Sequence, residues 1–153
     1  MSNRNFSLLV MGIALLIIGT GYLYQNNRPQ KEAQIVTVTH CQLHESACET
    51  TLPNGAIVHF NINPRGIPQL QPLVLRLTLT GMNAKRATVD FKGVDMNMGL
   101  MPYPLRKVDG QHFHGKAMLS ICIIRKMDWL AQVQIETDDV LWQVNFPFQT
   151  VKN

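Results

Sequence analysis

The sequence lacks the motifs that mark most enzymes. It contains no glycine-rich phosphate loop, no Gly-x-Ser-x-Gly nucleophile elbow, no His-Glu-x-x-His pair and no Cys-x-x-Cys. Only 16% of its residues are charged, and the few acids do not cluster as a general acid/base pair would. We therefore predict that the protein is not an enzyme.

Long basic runs are also missing. The formal net charge is +4, but Arg4, Arg28 and Lys31 flank an N-terminal apolar segment and only Glu32 offsets them. The remaining basic residues are scattered, with few aromatic residues between them. Nucleic-acid binding needs a basic patch or stripe, so we expect no nucleic-acid partner.

The N-terminal part of the chain contains an uncharged, mostly apolar segment from Leu8 to Tyr24. Its length is at the short end of what a membrane-spanning helix needs. A cleaved secretory signal peptide is the alternative, with cleavage near residue 30, but no Ala-x-Ala site follows the segment. We predict an uncleaved signal-anchor, and with either outcome the rest of the chain is exported.

These features predict four parts of the chain. They are a cytoplasmic stub (1–7), a transmembrane signal-anchor helix (8–24), a linker (25–33) and a periplasmic domain (34–153). The positive-inside rule decides little, because basic residues flank both ends of the helix. A compact domain behind a very short stub favours a single-pass protein of a bacterial inner membrane, with its C-terminal domain in the periplasm.

The rest of the chain shows the period of two that is typical of β-strands. Leu73, Leu75, Leu77 and Leu79 alternate with more polar residues, and similar alternation predicts strands near 35–40, 56–62, 87–92, 117–123, 129–135 and 142–148. About seven strands separated by turns suggest an all-β fold, an immunoglobulin-like antiparallel β-sandwich. An open barrel is the alternative, because strand counting cannot tell a closed sheet from two packed ones.

Methionines are concentrated in one stretch, at Met96, Met98 and Met101. Thioether sulfur selects Cu(I) and keeps its donor atom in an oxidising compartment. Met96 and Met98 would share one face of a strand, and Cys122 and Met127 could supply further donors. The alternative is that these methionines fill gaps in the core.

The histidines are weaker candidates. His112 and His114 would share a face of a strand, and His40 and His44 stand beside two cysteines. Ordinary exposed histidines explain His112 and His114 better than metal ligation does.

The chain has three cysteines, an odd number for an exported domain. Cys41 and Cys48 are close enough in sequence to form a small disulfide loop, and a metal loop with His40 and His44 is the alternative. Cys122 is then left over, either as a buried inert thiol or as a thiolate ligand of the methionine site.

The run from Phe91 to Met101, followed by Gly110, Phe113, Gly115, Cys122, Met127 and Trp129, resembles the YtkA-like and FixH-like group of small membrane-anchored β-sandwich proteins. The pattern of that group is a Met-x-Met stretch, a hairpin with a glycine and a tryptophan in a final strand pair. The resemblance covers residues 72–148. It implies a role for Met96 and Met98 in copper handling or cytochrome oxidase assembly. The chain departs from the pattern because no histidine adjoins the methionines and its cysteines are additional.

The leading hypothesis is a periplasmic copper-binding or copper-delivery accessory protein anchored in the inner membrane. It would bind Cu(I), and a respiratory oxidase or a copper chaperone would be its partner. The competing hypothesis is a metal-free adaptor or structural subunit that docks a membrane complex through the β-sandwich.

Overall fold

A computed structural model describes residues 3–26, 32–95, 101–120 and 126–151 of the chain. It separates into two compact units, Met1–Lys31 and Glu32–Asn153. The predicted ligands Met96, Met98 and Cys122 lie outside the described residues.

The first unit contains helix α1, Asn3–Asn26. From Val10 to Tyr22 its described side chains are exposed, and most of them are large and apolar. The Thr20 hydroxyl donates a hydrogen bond to the carbonyl oxygen of Leu16 at 2.9 Å, so this polar group is satisfied within the helix. Among the described residues, none of the helices combines the length and the hydropathy required to traverse a bilayer.

The second unit is built from nine β-strands. In chain order they are β1 Ala33–Thr37, β2 Cys48–Thr51, β3 Ile57–Asn63, β4 Pro72–Thr80, β5 Arg86–Gly93, β6 Tyr103–Lys107, β7 His112–Met118, β8 Lys126–Glu136 and β9 Leu141–Val151.

These strands form one curled, mixed sheet in the order β1-β9-β8-β5-β6-β7-β4-β3-β2. β1 pairs with β9 in parallel, and every other pairing is antiparallel. β6 joins the two halves because its first residues pair with β5, where Leu105 lies opposite Ala87, and its last residues pair with β7, where Arg106 lies opposite His114.

The core fills the space enclosed by the curled sheet. Each long strand alternates buried and more exposed residues, as in β4, where Leu73, Leu75, Leu77 and Leu79 are all buried. Phe60 on β3 and Phe146 on β9 meet with ring centroids 5.4 Å apart, although their strands lie near opposite ends of the strand order. The inner faces of the two halves therefore share one core.

The all-β prediction is confirmed. The seven-strand immunoglobulin-like sandwich is not confirmed, because the structure has nine strands in one curled sheet. The two strands that the sequence pattern missed are β2 and β6. Each buries a single residue, Cys48 in β2 and Leu105 in β6, so neither shows the repeated apolar alternation that predicts a strand. The strand predicted near 117–123 overlaps β7 only at residues 117–118 among the described residues, because β7 runs from His112 to Met118.

Candidate methionine site

A small pocket lies where β5, β6 and β8 meet the end of β7, and we call it the methionine pocket. Its lining residues are Phe91, Met101, Tyr103, Met118, Leu119, Ser120 and Trp129. The cavity volume is about 10 Å³. That is close to the volume occupied by one water-sized probe. The pocket can therefore hold something the size of a single ion, and no organic molecule.

The two methionines of this pocket are accessible from solvent. Met101 is 52% exposed and Met118 is 45% exposed. The opposite wall is aromatic, since the Phe91 and Tyr103 rings lie 6.0 Å apart. Among the described residues, the lining contains no carboxylate, histidine or lysine. The arrangement can therefore bind a soft ion, and its described residues include no acid/base pair for proton transfer.

Met101 is held in place by a buried carboxylate. The backbone N–H of Met101 donates a hydrogen bond to Asp90 Oδ1 at 3.1 Å, and Asp90 is only 5% exposed. On the other flank of the undescribed residues 96–100, the N–H of Val94 donates to the carbonyl oxygen of Asp128 at 3.0 Å. Both flanking segments of this methionine stretch are therefore fixed to β5 and β8.

The end of β7 is fixed just as firmly. The Tyr103 hydroxyl donates to the carbonyl oxygen of Met118 at 2.7 Å. The N–H of Leu70 donates to the carbonyl oxygen of Leu119 at 2.9 Å. These bonds orient the segment that ends at Ser120, the last described residue before 121–125, which includes Cys122.

A buried polar contact supports the tryptophan of the pocket. The Trp129 indole Nε1–H donates to Thr150 Oγ1 at 2.9 Å. The same hydroxyl accepts a bond from the Gln69 side-chain amide at 3.4 Å. The indole ring also stacks on Phe148, with centroids 6.2 Å apart and planes 10° apart. Trp129 therefore forms a wall with its one polar group satisfied.

The predicted ligands thus have different positions. Met101 lines the pocket, whereas Met127 is 1% exposed, lies on the inner face of β8 and does not belong to the lining. Met96, Met98 and Cys122 belong to the two undescribed segments, whose neighbours Met101 and Ser120 both line the pocket. The residue that follows the first segment and the residue that precedes the second therefore line the same pocket.

Sequence reasoning missed Met118 as a site residue. It lies on the outward face at the end of β7, next in that alternation to Lys116 and opposite Pro72 of β4. A single exposed apolar side chain is common on protein surfaces, so the sequence contains no specific sign of a site at Met118. Its approach to Met101 depends on the β6–β7 pairing, which the sequence pattern does not reveal.

The histidines do not converge on the methionine pocket. His112 and His114 are both exposed on the outer face of β7, and His112 Nδ1 lies 2.8 Å from Asp109 Oδ2. Two backbone N–H groups, of Gln111 and His112, also donate to Asp109 and, together with the imidazole, lower the pKa of this carboxyl to about 2. The His112 side chain therefore interacts with the hairpin turn that precedes β7.

His40 and His44 lie in the segment between β1 and β2. His40 is exposed, and His44 is half-buried with its Nδ1 atom buried and without a hydrogen-bond partner. Its Nε2 atom lies 3.7 Å from a Glu45 carboxylate oxygen. In the part of the chain that the structure describes, no three His, Cys, Asp or Glu side chains are grouped to hold a metal ion.

Cys41 and Cys48 are joined in a disulfide, with Cα atoms 5.8 Å apart. A disulfide has no thiolate to offer, so the alternative metal loop with His40 and His44 is not formed. Cys48 is the first residue of β2 and is buried, so the bridge ties the preceding loop to the core. Of the three cysteines in the sequence, Cys122 takes no part in this disulfide and lies outside the described residues.

Comparisons with protein-family models, with curated proteins and with solved structures gave no match to this chain. The resemblance to the YtkA-like and FixH-like group therefore stays a prediction from the sequence.

Proposed function

We propose that the protein is an exported, membrane-anchored accessory protein that binds Cu(I) through methionine thioethers. One observation supports this most directly: Met101 and Met118 line the same ion-sized pocket. This pocket also adjoins the ends of the two segments that contain Met96, Met98 and Cys122. It is the place where most of the soft donors of the domain can meet.

The chemistry of the donors supports copper over other metals. Thioether sulfur favours Cu(I), whereas magnesium and calcium sites rely on carboxylates, which the described lining lacks. Met101 and Met118 would supply two donors, and Met96, Met98 or the Cys122 thiolate would complete a trigonal or tetrahedral set. Met127 is less suited to this role than the sequence suggests, because it is buried outside the lining.

The location proposed is the periplasmic side of a bacterial inner membrane. The disulfide between Cys41 and Cys48 favours an oxidising compartment. The uncharged segment Leu8–Tyr24 favours a signal-anchor, and the apolar side chains of α1 have no covering within the described part of the first unit. In this setting the protein would pass Cu(I) to or from a respiratory oxidase or a copper chaperone and would catalyse no reaction.

A metal-free adaptor is the second candidate. It is favoured by the exposure of Leu70 and Val94 close to the methionine pocket, since each of these apolar side chains is more than half exposed. Both candidates use the same end of the sheet, the first as a copper site and the second as a contact surface. Neither depends on an immunoglobulin-like arrangement of the strands.

The two candidates are separated by a Cu(I) competition titration against a chromogenic chelator, with the full chain in maltoside micelles. Ascorbate should keep copper reduced, because thiol reductants would open the Cys41–Cys48 disulfide. We expect binding of one Cu(I) per chain, weakened at least about tenfold by Met101→Leu with Met118→Leu. Leucine and methionine have similar volumes, so the melting temperature should change little.

Met82→Leu is the matched control, because Met82 packs against the core away from the pocket. It should leave Cu(I) affinity unchanged. A second variant, Met96→Leu with Met98→Leu, tests the undescribed donors in the same titration. If the wild-type chain takes no copper from a weak chelator, or if the pocket variant binds as tightly as wild type, the copper proposal is wrong.

A further inference from the structure

Three cationic or potentially cationic side chains form a row on the outer face of the sheet. Arg76 of β4 lies opposite His114 of β7, and His114 lies opposite Arg106 of β6. Directly paired residues in antiparallel strands point to the same face, and neighbouring strands are about 4.8 Å apart. The three side chains therefore project side by side from backbone positions that span about 10 Å, and all three are exposed.

This row has no acidic counterpart in its own part of the sheet. Strands β3, β4, β6 and β7 contain no aspartate or glutamate at all. Asp109, in the turn before β7, already contacts the imidazole of His112. Glu49 of β2 lies opposite His59, in a separate row.

Three other cations of the domain already have partners among the described residues. Lys85 pairs with Asp138, and Arg86 pairs with Glu136 at 3.4 Å. Lys107 donates to Asn83 Oδ1 and to the carbonyl oxygen of Ala84. By contrast, neither guanidinium of the row has a hydrogen-bond or ion-pair partner among the described residues. Two like charges beside an imidazole repel each other. Binding of an anion between them would therefore be electrostatically favourable.

Asn61 of β3 extends the row at the Arg76 end. Its Oδ1 atom is buried and has no hydrogen-bond partner among the described residues. Lys116, exposed on the same face of β7 as His114, adds a further positive charge beside it. The outer face of β4, β7 and β6 therefore combines imidazole, ammonium and guanidinium donors.

We infer that the row of Arg76, His114 and Arg106 is a binding site for a phosphate group. Two guanidinium forks can each donate two parallel hydrogen bonds to phosphate oxygens, and the imidazole between them donates a further bond. The long arginine side chains allow both forks to converge on one tetrahedral anion above His114. A lipid head group and a free phosphate have this chemistry in common. The site is separate from the methionine pocket and does not depend on copper binding.

The test follows the [¹³C]-labelled histidine ring signals of the full chain in maltoside micelles by NMR. Sodium phosphate is added at constant ionic strength, with sodium chloride as the balancing salt. We expect the His114 signal to move and to saturate, while the signal of exposed His40 stays in place. In a second arm the micelles are doped with a short-chain phosphatidylglycerol and no phosphate is added.

The two arms distinguish the sources of the anion. A His114 response that saturates at a lower concentration of phosphatidylglycerol than of inorganic phosphate identifies a head-group site. A response to inorganic phosphate without one to phosphatidylglycerol identifies a free-phosphate site. Arg76→Gln with Arg106→Gln should weaken either response at least about tenfold, because it removes the charge-assisted hydrogen bonds. The matched control is Arg86→Gln with Lys92→Gln, which removes the same charge from β5 and should leave the response unchanged.

Two results would overturn the proposal. One is a His114 signal that moves no more with phosphate or phosphatidylglycerol than with sodium chloride. The other is an equal weakening by the two double variants, which would show only a general attraction of anions to the basic domain. Both double variants replace exposed side chains, so neither is expected to prevent folding.

Discussion

The carboxylate of Asp90, buried in the wall of the domain, accepts a hydrogen bond from the backbone N–H of Met101 at 3.1 Å. Asp90 belongs to β5, and Met101 is the first described residue after 96–100. The bond thus fixes one end of the methionine stretch to a rigid strand. It also explains why an acid is buried at this position in an otherwise apolar region.

Replacing Asp90 by alanine should therefore affect both stability and the proposed copper site. We expect the free energy of unfolding to fall by about 1.5–3 kcal/mol, the usual contribution of a hydrogen bond to a charged group. Cu(I) affinity should also fall, because the backbone of Met101 loses the hydrogen bond that holds it in place. Urea denaturation followed by tryptophan fluorescence, together with the copper titration, measures the two effects. Asp90→Asn keeps an acceptor oxygen and should lose less, so equal losses in both variants would contradict this role.

The buried contact between Trp129 and Thr150 gives a second prediction. Thr150→Val keeps the shape of the side chain but leaves the indole N–H without a partner. An unpaired buried donor costs about 1–3 kcal/mol, and we expect the free energy of unfolding to fall by this amount. Thr150→Ser restores the hydroxyl and is the control. Chemical denaturation that finds valine as stable as threonine would show that the indole finds another partner.

Gly115 marks the close approach of β6 and β7. A Cβ atom at this position would lie 2.4 Å from Leu105 Cδ2 and 3.3 Å from the Pro104 carbonyl oxygen. Leu105 is buried and cannot move away freely. Gly115→Ala should therefore destabilise the domain by about 1–3 kcal/mol.

Gly110 provides the control for this substitution, because a Cβ atom there would meet nothing within 4 Å. Gly110→Ala should change the unfolding free energy by no more than about 0.5 kcal/mol. Denaturation curves of the two variants, measured side by side, test the difference. Similar stabilities would mean that the β6–β7 contact is looser than the structure indicates.

The turn at Asp109 predicts a specific pH dependence. Hydrogen bonds from Gln111 and His112 lower the pKa of Asp109 to about 2 in the folded protein. Because the unfolded value is near 3.9, the carboxylate stabilises the fold above about pH 4, and this contribution is lost as the pH falls through about 2. The stability difference between wild type and Asp109→Asn should therefore shrink over that interval. NMR titration of the carboxyl carbon tests the cause directly, and a midpoint near the ordinary value would contradict it.

Much of the fold follows from the alternation of apolar residues. In β4 the four leucines predicted to face the core are buried, and β3, β5, β8 and β9 show the same agreement. The topology does not follow from alternation, because it depends on pairing. β6 has one buried residue and changes partner from β5 to β7, and β1 pairs in parallel with β9. Neither relation leaves a periodic pattern in the sequence.

The candidate site was predicted only in part for the same reason. The sequence places Met96, Met98 and Met101 close together along the chain, but it gives no sign that Met118 approaches Met101. That approach is produced by the β6–β7 pairing and by the bond from the Tyr103 hydroxyl to the Met118 carbonyl oxygen. The row of Arg76, His114 and Arg106 also could not be predicted, since these residues are brought together only by strand register.

The strand order also bears on how copies of this protein avoid joining one another. A sheet aggregates through strands whose backbone groups are unpaired on one side. Here the described sheet ends at β1 and β2, which have five and four residues. Together with β6, which has five, they are the shortest strands of the described sheet. β2 is also tied by the disulfide at Cys48. Short ends of this kind offer little template for an added strand, so the domain should stay dispersed at high concentration.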